Sequence, residues 1–184
     1  MPHSDPTPMS NDDGTDDTTL DDLDLRILAR YQHDTQSPAR AIAAAVGLSV
    51  AAVQRRLKRM RATGVIRREV AEIEPRAVGL PVTCVVAVDL ERERPADLDR
   101  FKRKMLGLPE VQQCYYVTGQ ADFVLVVLVP SMEDYNAFTR RALFDDDNVK
   151  SFVTTIVMDR VKTGVAVPLP GPAPARRPRH RTAR

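Results

Sequence analysis

The chain is poor in the residues that carry metal and covalent chemistry. Its 184 residues include three histidines, His3, His33 and His180, and two cysteines, Cys84 and Cys114. The cysteines have no metal-ligand spacing and no histidine near them in sequence. That argues against a metal centre and against a Cys–His nucleophile, and both thiols read as buried groups of a reducing cytoplasm. A Gly-rich phosphate loop and a pair of carboxylates at defined spacing are also missing, so no catalytic residue and no cofactor is implied. Long apolar runs are absent too. The longest, FVLVVLV at 123–129, falls far short of the roughly 20 residues of a spanning helix, so no membrane partner is expected. The N-terminus is acidic and lacks the basic-then-apolar order of a secretory signal.

What is present is charge, and it is segregated. Net charge is only +2, yet residues 1–24 carry eight Asp and no Lys or Arg, while residues 49–68 carry seven Lys or Arg and no acid. Five more Arg stand in the stretch from 168 onward. A dense basic block points to a polyanionic partner, with a solvated helix face as the plainer explanation. Hydrophobic residues make up 43% of the chain, enough for one large or two small cores.

Composition divides the chain into five parts. Residues 1–18 are rich in Asp, Thr, Pro and Ser and read as a disordered acidic tail. Residues 166–184 read as a disordered Pro/Arg-rich tail. Between them lie a helical segment, 19–74, a linker at 75–80, and a strand-rich segment, 81–165. In the first, Asp21 is expected to cap a helix with Asp24 at its third position and Leu20 as a staple. Leu23, Ile27, Leu28 and Tyr31 would face inward. Ser37-Pro38 is expected to start a second helix, ended by Gly47. Ser49 would cap a third, running to about Thr63. VIRREVAEIEP then reads as a short extended wing stopped by Pro75.

The third helix carries the basic block. At 100° per residue, Val53, Leu57 and Met60 form its core face, while Ala51, Arg55 and Lys58 point the opposite way with Gln54 and Arg59 flanking. Small residues near the N-terminus permit close approach to a major groove. Gln and Arg read base edges, and Lys and Arg further along meet phosphates. With the preceding helix and Gly turn this is a helix-turn-helix for double-stranded DNA. The DNA-binding set is Ser49, Ala51, Gln54, Arg55, Lys58 and Arg59, with Arg67 and Arg68 on the wing. Arg56 lies nearer the buried side, where an internal salt bridge and a phosphate contact fit equally well.

The strand-rich segment reads strand, helix, strand, twice over. Two such units predict a four-stranded antiparallel sheet with both helices on one face, a ferredoxin-like α+β sandwich. Met132, Tyr135 and Phe138 are expected to point inward from its second helix. Between its second and third strands stands TGQAD, residues 118–122. Thr, Gly and Asp are ordinary turn formers, and Asp122 can cap backbone amides there. A carboxylate beside Phe123 and a long apolar run also suits a ligand.

LDDLDLRIL, AIAAAVGLSVAAVQRRLKRMRATGVI, VTGQADF and VTTIVMDRVK, in that order, resemble the leucine-responsive and asparagine-responsive (Lrp/AsnC) transcriptional regulators over roughly residues 20–165. The resemblance implies a winged helix-turn-helix joined to a ferredoxin-like effector and oligomerisation domain. It also implies homodimers that often assemble into octamers, and amino acids or related metabolites as effectors. The family's effector motif falls on Gly119 and Asp122, which implies an effector set of Thr118, Gly119, Gln120, Ala121 and Asp122 with Thr154 in the last strand. The chain departs from the family pattern at Gln120 and Ala121, where a charged and a bulky residue are common, and at Phe152. The small Ala121 would enlarge a pocket. Two other functions stand beside this one. One is an architectural, nucleoid-type DNA-binding protein with weak sequence preference. The other is a haem-precursor decarboxylase of the family's enzymatic branch, which needs histidines that the second domain lacks.

Overall fold

A computed structural model describes residues 19–170, and the residues 1–18 and 171–184, on which the two tail assignments mostly fall, lie outside the described residues. The chain divides into two compact units, with boundaries at Val70/Ala71 and Thr163/Gly164. Residues 164–170 thus belong to the first unit, although they follow the sheet in sequence.

The first unit holds α1 (Asp22–Tyr31), α2 (Ala39–Val46) and α3 (Val50–Ala62). Asp21 caps α1 as expected. Its carboxylate accepts the Asp24 N–H at 2.8 Å, and the Asp24 carboxylate accepts the Asp21 N–H at 3.1 Å, a reciprocal box. The start of α2 differs from expectation, because Ser37 does not cap it. Asp34 forms a tight local turn instead, accepting the Gln36 N–H at 2.9 Å and the Ser37 hydroxyl at 2.7 Å. Pro38 is left at the cap position with no side-chain acceptor. Gly47 ends α2 at φ +75°, a conformation that a Cβ disfavours, and so turns the chain into α3.

Ile27, Val53 and Met60, all fully buried, form the centre of this unit's core with Ile42, Val46 and Leu57. The expected wing is not a paired element: residues 65–74 contain neither helix nor strand. They are held instead by side chains. The Tyr31 hydroxyl donates to Glu69 at 2.8 Å, and Arg61 donates to both Glu69, at 2.8 Å, and the Tyr31 oxygen, at 2.7 Å. Hydrogen bonds from Arg61 and then Tyr31 hold the Glu69 carboxyl below its usual range. On the neighbouring residue, the Gln32 amide brackets the Val167 backbone, accepting its N–H at 2.9 Å and donating to its carbonyl at 3.2 Å.

The second unit runs β1 (Val82–Leu90), α4 (Pro95–Leu106), β2 (Val111–Tyr116), β3 (Phe123–Val129), α5 (Met132–Thr139) and β4 (Val149–Ile156). The four strands pair antiparallel in the order β2-β3-β1-β4, the expected ferredoxin-like arrangement. β1 and β2 are not neighbours, and Cys84 and Cys114 are free thiols. Burial alternates along β3, as a strand covered on one face requires. Its covered side presents Phe123, Leu125, Val127 and Val129, which join Val86 and Val88 of β1, Phe101 and Met105 of α4, and Tyr135 and Phe138 of α5. A side chain of this size contributes about 1.5–3 kcal/mol when fully buried. Met132 does not point inward: it sits in the first turn of α5 and is 40% exposed. α5 also stops early and continues as one wider π-type turn, Arg140–Phe144, which leaves Phe144 exposed against the edge of Phe152.

Candidate functional site

α3 begins where the Ser49 hydroxyl accepts the Ala52 N–H at 3.2 Å. Because Val53, Leu57 and Met60 are buried, helical geometry turns Ala51, Gln54, Arg55 and Lys58 outward, and all four are exposed. Arg67 and Arg68 are exposed on the segment after the helix. One face of one element therefore carries two small or neutral positions and two cations.

Arg59 makes an internal contact. The helical wheel sets it on the flank of the exposed face, but its guanidinium reaches back to the Asp24 carboxylate. Arg56 does the same, donating to Asp24 at 2.9 Å and to Asp21 at 2.8 Å. Of the two readings that sequence left open for Arg56, the structure shows the internal one. The Asp24 side chain is fully buried, and both of its oxygens are engaged. Asp24, and after it Asp21, pushes the Arg56 guanidinium above its ordinary value. The sequence reading missed this cluster, although a signal was there: Asp24 lies three and seven residues before Ile27 and Tyr31, on the buried stripe of α1.

The TGQAD loop stands at one end of the second unit's sheet. The Val117 N–H closes it onto the Asp122 carbonyl at 2.9 Å, and the Asp122 N–H reaches the Val88 carbonyl at 3.0 Å. Gly119 takes φ +137° with open space around the position of a missing Cβ, so backbone conformation, not crowding, is what asks for glycine. Thr118, Gly119 and Gln120 are exposed, and Ala121 and Asp122 are half-buried. The last β1–β3 pair is Val88 with Phe123, so β1 continues past its partner. The Asp122 carboxylate extends that ladder by accepting the Leu90 N–H at 2.7 Å. Asp122 is thus a backbone cap, as the turn reading held, though the amide it caps is on β1 and not in its own hairpin.

Thr154 is not brought to this loop within one chain. It pairs with Val86, two strands from β3, on the helix-facing side of β4. There its hydroxyl shares a hydrogen bond with the Tyr135 hydroxyl, itself buried under α5. On the other face of the sheet Val85, Ala87, Val124, Val126 and Leu128 form an apolar surface that no helix of the unit covers, continued by Tyr115 and Val153. Among the described residues no cluster of His, Cys, Asp or Glu could hold a metal, and no helix is long and apolar enough to cross a membrane.

A helix-turn-helix with an outward basic row, followed by a separate ferredoxin-like domain, is the architecture of a DNA-binding regulator with a second domain for a ligand. Residues 20–61 match the AsnC-type helix-turn-helix domain, and residues 83–167 match the Lrp/AsnC ligand binding domain. The chain belongs to the Lrp/AsnC family, and the relatives it matches are transcriptional regulators, not enzymes. It is 47% identical over 150 residues to an uncharacterized HTH-type transcriptional regulator, y4tD, of Sinorhizobium fredii, covering 82% of this chain and 89% of that one. Its structure resembles that of an AsnC family transcriptional regulator from Agrobacterium tumefaciens, with a TM-score of 0.75, 32% identity, and coverage of 81% of this chain and 97% of that one. A transcriptional regulator from Neisseria meningitidis, solved as a complex with L-Met, has the same TM-score at 26% identity and covers 82% of this chain and 97% of its own.

Proposed function

We propose that this regulator binds a specific operator in double-stranded DNA as a homodimer or larger assembly, and that a small effector, an amino acid or a close relative, adjusts its affinity. Its work on DNA puts it in the cytoplasm. The observation that carries the DNA half is the exposed row Ala51, Gln54, Arg55 and Lys58 opposite the buried face of α3. Small residues ahead of a bidentate reader suit base edges, and a cation one turn further along suits phosphate. Arg67 and Arg68 supply flanking backbone contacts. The bare apolar sheet face supports self-association, since such a surface gains by being covered. The Met complex of the Neisseria regulator supports an amino-acid effector. The effector would meet Thr118, Gly119, Gln120, Ala121 and Asp122, with Thr154 entering only where a second chain or a rearrangement supplies it.

Binding titrations on operator and random DNA test the interface. Arg55→Ala is expected to cost about 1–3 kcal/mol of discrimination between operator and mutant site. Lys58→Ala is expected to weaken all sequences alike and to lower the salt slope by about one. Equal affinity of the unchanged chain for operator and random DNA would instead select the architectural reading.

Removing residues 168–184 takes away five Arg. The shortened chain is expected to keep its operator choice but to bind DNA more weakly at low salt, with a shallower salt dependence, because those cations release counterions without reading bases. A salt slope unchanged by the truncation would show that the tail does not touch DNA.

A further inference from the structure

We propose that Asp24 is a positioning residue for DNA recognition. It withdraws Arg56 and Arg59 from the DNA-contacting set and fixes the rotation of α3, so that Gln54, Arg55 and Lys58 are the long polar side chains that this helix turns to the duplex. The inference rests on α3 being the DNA-reading helix.

The basic block of residues 49–68 contains Arg55, Arg56, Lys58, Arg59, Arg61, Arg67 and Arg68. Its charge overstates what DNA meets. Arg56 pairs with Asp21 and Asp24, Arg59 with Asp24, and Arg61 with Glu69. Arg55, Lys58, Arg67 and Arg68 have no acidic partner among the described residues. Four cations, not seven, are therefore presented to phosphate.

The geometry does more than neutralise. Arg56 and Arg59 are three residues apart and so lie on one flank of α3, on successive turns. A single carboxylate engages both, one oxygen each. Two anchor points on different turns fix a helix against rotation about its axis as well as sliding along it. Asp24 can serve as the anchor because it is itself fixed: its side chain is fully buried, and the oxygen that meets Arg59 also accepts the Asp21 N–H in the cap of α1. The cap of α1 and the orientation of α3 are thus one hydrogen-bonded unit. Gln54, Arg55 and Lys58 share the two turns of α3 that carry the anchored arginines, so a rotation of the helix would carry all three away from the base edges together.

The alternative role is ordinary stabilisation, in which Asp24 and its arginines only hold the unit folded. Losing such a role lowers the folded fraction but leaves each folded molecule's preference among DNA sequences, and its salt slope, unchanged. Two readouts separate the roles. The first is operator and random-DNA affinity across a salt series for Asp24→Asn, Arg59→Gln and Lys58→Ala, with circular dichroism to establish the folded fraction. Arg59→Gln is expected to keep the salt slope of the unchanged chain while losing at least about fivefold in operator discrimination. Asp24→Asn is expected to lose discrimination too, with a slope steeper by up to about two as freed guanidiniums meet phosphates of any sequence. A slope lowered by about one in Arg59→Gln, as in Lys58→Ala, would overturn the inference while leaving α3 as the DNA helix. Unchanged discrimination in both variants would also overturn it. No slope change in Lys58→Ala would remove the α3 reading itself, and the inference with it.

The second readout needs no variant and so does not depend on either folding. In the unchanged full chain, arginine-specific labelling read by mass spectrometry is expected to show Arg55 reactive alone and protected by operator DNA. Arg56 and Arg59 are expected to be slow with or without DNA. Protection of Arg59 by DNA equal to that of Arg55 would refute the proposal.

Discussion

A chain carrying Val126→Asp is expected to sediment as a monomer at micromolar concentration, and the unchanged chain as a dimer or larger species. Val126 lies opposite Val85 of β1, between Val124 and Leu128, on the sheet face that no helix covers. A two-fold assembly through that face would bury two copies of it. Each substitution removes an apolar contact of about 1.5 kcal/mol or more and leaves an unpaired charge in a desolvated interface, which costs several kcal/mol more. Counted over two copies, the dimer dissociation constant is expected to rise by at least about a thousandfold. Operator affinity is expected to fall with it, because a monomer engages only one half-site. The thermal midpoint of the isolated fold is expected to change little, since the substituted side chain points away from the core. A variant that stays dimeric with unchanged affinity would place the interface elsewhere.

Both layers of the second unit were legible from local signals. FVLVVLV is a short run of β-branched and large apolar residues bounded by turn formers, as a strand requires, and Phe101 with Met105 set the buried stripe of α4. The same holds for α3, where three buried positions at helical spacing left little freedom for Ala51, Gln54, Arg55 and Lys58. What escaped were features decided by a single partner distant in sequence. A wheel sees Arg59 as a flank residue and cannot know that a carboxylate 35 positions earlier is buried beneath it. α2 went without a side-chain cap because Asp34 drew Ser37 into a local turn, and propensity alone does not rank turn against cap. The wing was expected as a short extended segment stopped by Pro75; residues 65–74 pair with no strand and are held by the side chains of Tyr31 and Arg61 instead. Thr154 was grouped with the effector loop through family resemblance. The register of β4 puts it opposite Val86 and under Tyr135 instead.

Asp122 is where sequence and structure together give the sharpest test, because the structure shows it doing one job while the proposal gives it two. One carboxylate oxygen accepts the Leu90 N–H at 2.7 Å and so completes the end of β1. The proposed second job is to accept hydrogen bonds from the ammonium group of an amino acid brought in beside Gly119. Asp122→Asn separates them. Its amide oxygen still accepts the Leu90 N–H, so stability is expected to fall by less than about 1 kcal/mol. Its neutral side chain loses the charge-assisted bond, worth about 1.5–3 kcal/mol, so amino-acid affinity is expected to fall about 10- to 150-fold. Asp122→Ala loses both, and leaving the Leu90 N–H unsatisfied is expected to cost about 1–3 kcal/mol of stability as well. Gly119→Ala is the poorer probe, because φ +137° strains any residue with a Cβ and the loop itself would shift. The measurement is calorimetry of the twenty amino acids at millimolar concentration against the unchanged chain, with thermal melts of each variant. An amino acid that binds the unchanged chain and Asp122→Asn equally well would reduce Asp122 to its structural job. If no amino acid binds the unchanged chain, the effector belongs to another class. If Asn keeps the melt and loses the ligand while Ala loses both, one side chain holds the end of β1 and reads the effector. Effector binding would then be coupled directly to the sheet whose bare face is the proposed assembly surface.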